Sequence, residues 1–199
     1  MGKPDQNRLK EQQPVIQSGT ILVAHPINTT GVDFSRSVVL ITEVNPKGTV
    51  GFVLNKQHSI TQLEVYRQNG IDPIIERDQP VFRGGPVNTH ALCALHSDEW
   101  YSSNTAQIAP GCAISSDPIM LQKMGMGNTP RYSRWCAGMS GWAPGQLESE
   151  IAGRGPFADK QQWLTLPFNK KLVFDYAGET QYRKCIDNIA KLHTENYMI

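Results

Sequence analysis

The sequence predicts an α+β fold with a largely antiparallel or mixed sheet, and three observations carry that prediction. Short β-rich runs and helical stretches do not alternate strictly, as a doubly wound parallel sheet would require. Hairpin turn chemistry stands between two of the runs, where Pro fixes one φ angle and Gly permits a positive one. An amphipathic stretch closes the chain and supplies a helix with an apolar face for packing. The chain has 199 residues, 39% of them hydrophobic, enough for one compact core.

Residues 1–18 are polar and Gln-rich and read as a flexible tail, which leaves 19–199 as a single domain. Thr20–His25 (TILVAH) is a short strand closed by Pro26, followed by a loop. Ser37–Val44 (SVVLITEV) is nearly continuous in apolar residues, which suggests burial on both faces. Asn45–Gly48 is the hairpin turn and Thr49–Asn55 the returning strand, with Gly51 marking a bulge or a close backbone approach. Ser59–Gly70 fits a helix with Ser59 or Thr61 as N-cap and Gly70 as its stop. QPVFRGGPV gives a short strand and a tight turn, and Thr89–His96 another strand. In Ser115–Gly125, Asp117 before Pro118 is a good cap followed by Pro at the first helical position. RYSRWCAG is a strand that leads into CAGMSGWAPGQLESEI, Cys136 to Ile151. QQWLTLPF and KLVFDY read as two more strands. GETQYRKCIDNIAKLH closes the chain as a helix with Tyr182, Cys185, Ile186 and Ile189 on its apolar face.

The totals limit function. With 19 basic and 18 acidic residues the net charge is +1, so the basic excess of a general phosphate binder is missing; a small site-specific contact stays open. Cys93, Cys112, Cys136 and Cys185 form no C-x-x-C pair and read as free, mostly buried thiols of a reducing cytoplasm. The N-terminal stretch has no apolar run of a secretory signal, and no run has the length of about 20 residues that spans a bilayer.

No motif carries a reaction by itself. Gly138 and Gly141 flank a sharp exit from a strand, and Pro144 suits the first turn of a helix running to Ile151. Leu147 and Ile151 then share one face, and Gln146 and Glu150 another. The plain reading is a strand–turn–helix corner packed on Trp142. The functional one is a small pocket walled by Trp142, with Gln146 as a polar contact and free amides at the helix start. RGGPV, Arg83 to Val87, is likewise a constrained turn or a set of backbone amides with Arg83 supplying charge. His90 and His96 fall on one face of a strand and Cys93 on the other, so they do not converge on a metal. Ser140 lies between glycines without the spacing of a nucleophile elbow. No catalytic residue, metal or cofactor is assigned.

The ordered motifs ILVAHP…DFSRSVVLITE, GTVGFVLNK, VFRGGPV…ALH, GMSGWAPGQLESEI and WLTLPFNKKLVFD resemble the YqgE/AlgH family, catalogued as DUF179 and UPF0301, from Ser18 to Leu192. The Gly-Trp-x-x-Gly-Gln-Leu-Glu stretch, Gly141 to Glu148, is the most specific of them. His25 stands where the family usually carries Met, and the segment GRGPFADKQQ is longer than usual. The resemblance implies a bifurcated, partly barrel-like, mostly antiparallel β-sheet surrounded by helices. It brings no family-wide catalytic residue or cofactor, and one branch of the family is named as a regulator of transcription for alginate production.

Three functions are therefore weighed. The first is a non-enzymatic regulatory or binding protein acting on an unknown small ligand or protein partner. Its groove would be shaped by Gly84, Gly85 and the Gly138–Gly145 turn, with Asn55, His96, Trp142, Gln146 and Glu150. The second is an enzyme in which Glu148 or Glu150 works with His96 or His25 as acid and base. The third is a direct DNA-binding regulator using Arg183, Lys184 and Lys191, a face diluted by Glu179 and Asp187.

Overall fold

The computed structural model describes residues 15–27, 34–74, 78–159 and 161–196; most of the expected N-terminal tail lies outside them. Among the described residues the chain runs β1 (Ile21–Ala24), β2 (Val38–Asn45), β3 (Gly48–Val53), β4 (Gln57–Thr61), α1 (Gln62–Gln68), β5 (Pro80–Arg83), β6 (Val87–His96), β7 (Ala106–Ala109) and β8 (Cys112–Ser115). It continues through α2 (Pro118–Gly125), β9 (Ser133–Trp142), α3 (Gln146–Ala152), β10 (Trp163–Leu166), α4 (Lys170–Phe174) and α5 (Gly178–Asn196). The strands form one sheet in the order β10-β1-β2-β3-β9-β6-β8-β7, and β5 branches from β9 with β4 beside it. Every pairing is antiparallel except β5 with β9. The expected bifurcated, mostly antiparallel sheet is present. It stays open rather than closing into a barrel, with the short strands β10 and β7 at its two ends.

The fork lies on β9. Its first half pairs with β6 on one edge and β5 on the other, Val81 opposite Trp135 and Arg83 opposite Ala137. Its last residues pair with β3, Gly51 opposite Ser140 and Thr49 opposite Trp142. Gly84 sits where β5 hands over to β3: its amide donates to Ala137 at 2.8 Å, and its carbonyl accepts from Val53 at 2.8 Å. A Cβ on Gly84 would run into the carbonyl of Gly138, and one on Gly85 into that of Met139. Two glycine motifs far apart in sequence thus pack backbone against backbone, which only glycine allows.

Three apolar clusters surround the sheet. Ile21, Val23, Val38 and Leu40 face a cluster with Leu172, Val173, Tyr182, Cys185 and Ile189 of α4 and α5. Their neighbours Leu22, Ala24, Val39 and Ile41 face the opposite cluster with Trp142, Leu147 and Trp163. The apolar runs of β1 and β2 are therefore buried on both sides, with the alternation that a strand imposes. The third cluster joins Val65 and Tyr66 of α1, Met120 and Met124 of α2, Trp100 and Trp135. Ile186 packs against the first cluster, so the expected apolar face of α5 is the one that docks.

Several expectations change. KLVFDY is not a strand: Asn169 accepts the amide of Leu172 at 3.1 Å and starts α4. The cap outweighs the β preference of one Val and one Phe. The helix expected from Ser59 starts at Gln62, because Gln57–Thr61 pairs with β5. Thr61 is the cap, in a capping box with Glu64. At Gly51 a Cβ would come 2.8 Å from the Leu40 carbonyl, and the register slips on the facing strand between Ile41 and Glu43. The β7–β8 hairpin was not foreseen, although Pro110-Gly111 is a turn dipeptide.

Candidate functional site

The Gly-Trp corner is a buried polar knot. β9 delivers Trp142 and α3 delivers Gln146 and Glu150 one turn apart, while β10 adds Trp163. Glu150 is 3% exposed. Its Oε2 accepts the indole N–H of Trp142 at 3.0 Å and of Trp163 at 2.8 Å, and its Oε1 accepts Gln146 Nε2 at 2.9 Å. Gln146 Oε1 in turn accepts the Ala143 amide at 3.1 Å. Each side chain of the Trp-Gln-Glu set is satisfied by another, which is how a buried carboxyl group and two buried indoles are accommodated. Glu148 is exposed on the outer side of the same helix.

His96 is fully buried elsewhere, edge-on to Trp100 at 4.9 Å. Its Nδ1 lies 3.0 Å from the Ser97 carbonyl and its Nε2 2.9 Å from Ser115 Oγ. Burial, the largest effect, holds its pKa below the ordinary histidine value. Glu150 is held by Trp142, Gln146 and Trp163, and His96 by Ser97, Ser115 and Trp100, so among the described residues the two have no partner in common. His25 accepts the Ile27 amide at Nδ1, 3.2 Å away. Among the described residues no three of His, Cys, Asp and Glu are grouped as metal ligands. The four cysteines are free and buried. Burial pushes the thiols of Cys112 and Cys185 up to about 12.

The fork of the sheet opens a groove of about 580 Å³, lined by Val53, Asn55, Lys56, Gln57, Arg83, Gly85, Pro86 and Thr89. Asn55 fixes one wall. Its Oδ1 accepts the Val38 amide at 2.9 Å, and its Nδ2 donates to the Arg36 carbonyl at 2.8 Å. Lys56 Nζ donates to the Ser35 carbonyl at 2.6 Å. Its pKa is lowered, first by burial and then by the nearby charge of Arg36. Arg36 is paired with Glu179, which also accepts from Arg183. Arg83 projects from the end of β5 and is exposed.

Of the seven residues singled out in the sequence, Asn55 and Gly85 line this groove and Gly84 lies behind it. His96 belongs to one buried network, and Trp142, Gln146 and Glu150 to another. Lys56 was missed, although it directly follows Asn55 in sequence. A second groove of about 390 Å³ lies across Thr89, with His58 and His90 on its walls. Arg134 is buried at the end of α4, where it donates to the carbonyls of Leu54, Phe174 and Tyr176. Among the described residues no helix is long and apolar enough to cross a membrane.

The chain is similar to a UPF0301 protein of Xanthomonas campestris pv. campestris, 31% identical, with 88% of this chain and 90% of that protein covered. It is 30% identical to a UPF0301 protein of Rhizobium etli over 84% of both chains. The solution structure of the AlgH protein from Pseudomonas aeruginosa superposes with a TM-score of 0.69 at 26% identity, over 90% of both chains. A crystal structure from Corynebacterium diphtheriae shares the fold, with a TM-score of 0.62 at 23% identity over 80% of both chains. The AlgH-like family model matches residues 21–192. That match takes in the strand–glycine–helix corner, the forked sheet and most of α5, and the chain belongs to the AlgH-like family, DUF179.

Proposed function

We propose that this is a non-enzymatic binding protein of the cytoplasm, with a regulatory role, that takes a small ligand in the groove at the fork. The observation that carries this is where the polar groups are free. The histidine and carboxyl group best suited to acid–base work are enclosed in separate buried networks. The groove instead combines a glycine-lined floor, a rigid Asn55 wall and exposed Gln57, Arg83 and Thr89. A volume of about 580 Å³ lies within the range of metabolite sites. The four free thiols fit a reducing compartment.

The test is a metabolite screen followed by amide NMR. Ligands are expected to shift the resonances of Gln57, Gly85 and Thr89. Thr89→Trp, which fills the groove from an exposed position, should abolish those shifts with the remaining spectrum intact. Ligands that shift only residues remote from the fork, or survive Thr89→Trp, would sink the reading.

A further inference from the structure

We propose that the groove is an anion site, in which an oxyanion group of a small organic ligand, phosphate or carboxylate, is held between Lys56 and Arg83. The inference rests on the groove being a ligand site and names what enters it.

Its charge is one-signed. Among the described residues that line it, two are cations and none is Asp or Glu, in a chain whose net charge is only +1. Cations are therefore gathered at this place while the whole surface is nearly balanced. The Arg83 guanidinium forms no hydrogen bond or ion pair with the described residues, so its N–H fork is available for a planar or tetrahedral oxyanion. Lys56 is anchored by one donor to Ser35, which leaves two donors and a fixed position. The nearby acid, Glu179, is hydrogen-bonded to Arg36 and Arg183 and forms no ion pair with Lys56, although its charge partly offsets that of Arg36 there. The lowered pKa of Lys56 reflects burial first and then the positive charge of Arg36, which outweighs that of Glu179.

The rest of the groove suits the organic part. Val53 and Pro86 give apolar wall, and Gln57 and Thr89 give polar side chains on the open side. The Gly85 backbone lies flush because Met139 and Ser140 leave no room for a side chain there. The volume exceeds the needs of a bare ion and fits an anionic group carried on a small molecule.

The experiment is an amide NMR titration of the full chain at constant ionic strength, with sodium chloride as balance. Inorganic phosphate, acetate, glycerol 3-phosphate and glycerol serve as probes. Saturating shifts at Gln57, Gly85 and Thr89 are expected with the anions and not with glycerol, and the stronger of phosphate and acetate identifies the oxyanion. Arg83→Gln alters an exposed side chain without partners among the described residues and should leave the fold intact. It should weaken binding by about tenfold or more, the scale of one charge-assisted hydrogen-bonded contact. Affinity unchanged from the wild type in both Arg83→Gln and Lys56→Gln, or the same shifts from chloride, would overturn the inference. If neutral metabolites bind at the groove while every anion is silent, the anion inference fails and the ligand site stands. If neither kind binds there, both fail.

Discussion

Glu150, weighed in the sequence as an acid or base, is taken up in the fold by hydrogen bonds from Trp142, Gln146 and Trp163. Its carboxyl group gathers two indoles and a glutamine, so its loss strands two buried indole donors and the half-buried amide of Gln146. Glu150→Ala should lower the unfolding free energy by at least about 2 kcal/mol, measured by urea titration. Glu148→Ala, two residues away on the exposed side, should leave the urea midpoint unchanged. Equal effects would mean that the indole network is not what holds the corner. The spacing Gln146–Glu150 was legible as a shared helix face. The third partner, Trp163, was not, because it arrives on a strand that follows a separate loop. Glu179 gives a residue-scale pH effect. Hydrogen bonds from Arg36 chiefly, and from Arg183, hold its carboxyl down from 4.5 to about 2. A depressed carboxyl pKa adds stability above its unfolded value, and that stability is lost as pH falls through the folded one. Glu179→Gln should therefore flatten part of the decline in urea midpoint between pH 4.5 and about 2. The effect should be modest, because the pair is exposed and screened. An unchanged slope would show that the pair contributes nothing.

At the level of elements, glycines of the two motifs that meet at the fork have unlike duties. Gly84→Ala places a methyl against the Gly138 carbonyl and 2.9 Å from the Phe52 ring. Its cost should lie at or above the top of the usual overpacking range of about 1–3 kcal/mol. A Cβ on Gly141 meets nothing within 4 Å, so Gly141→Ala should be neutral by the same urea assay. Comparable losses at both would show that the fork is not sealed by this contact. Elements with local signals were legible: the β2–β3 hairpin through Asn45–Gly48, α2 through Asp117-Pro118, and α5 through its apolar period. α4 escaped because five residues show too little periodicity to outvote β-rich composition, and only Asn169 betrayed it. β4 and β7 escaped because their sequences are largely exposed or half-buried and weakly patterned, and β8 because its four residues, though mostly buried, are too few to show a period.

For the whole molecule, direct DNA binding would fall to the basic residues of α5, Arg183, Lys184 and Lys191. Arg183 is paired with Glu179 at 3.0 Å, and Lys184 lies over the Tyr176 ring at 6.0 Å. Duplex DNA should therefore give no salt-dependent rise in fluorescence anisotropy, even at low ionic strength. Micromolar binding that weakens steeply with salt would restore direct DNA regulation. The family and its forked sheet were legible from ordered motifs, while the groove was only half legible. Its residues come from the end of β3, the start of β4, the end of β5 and the start of β6, and long-range pairing with one another and with β9 brings them together.

The same strand sets a timetable for synthesis. β3, β5 and β6 all emerge from the ribosome before β9, the one strand that joins them. β1 waits longer still, until Trp163–Leu166 arrives to cover its outer edge. During that interval the nascent chain displays several bare strand edges beside apolar faces, a state prone to mispairing. A hub placed in the later half of the chain lengthens the time for which those edges stand unpaired during synthesis.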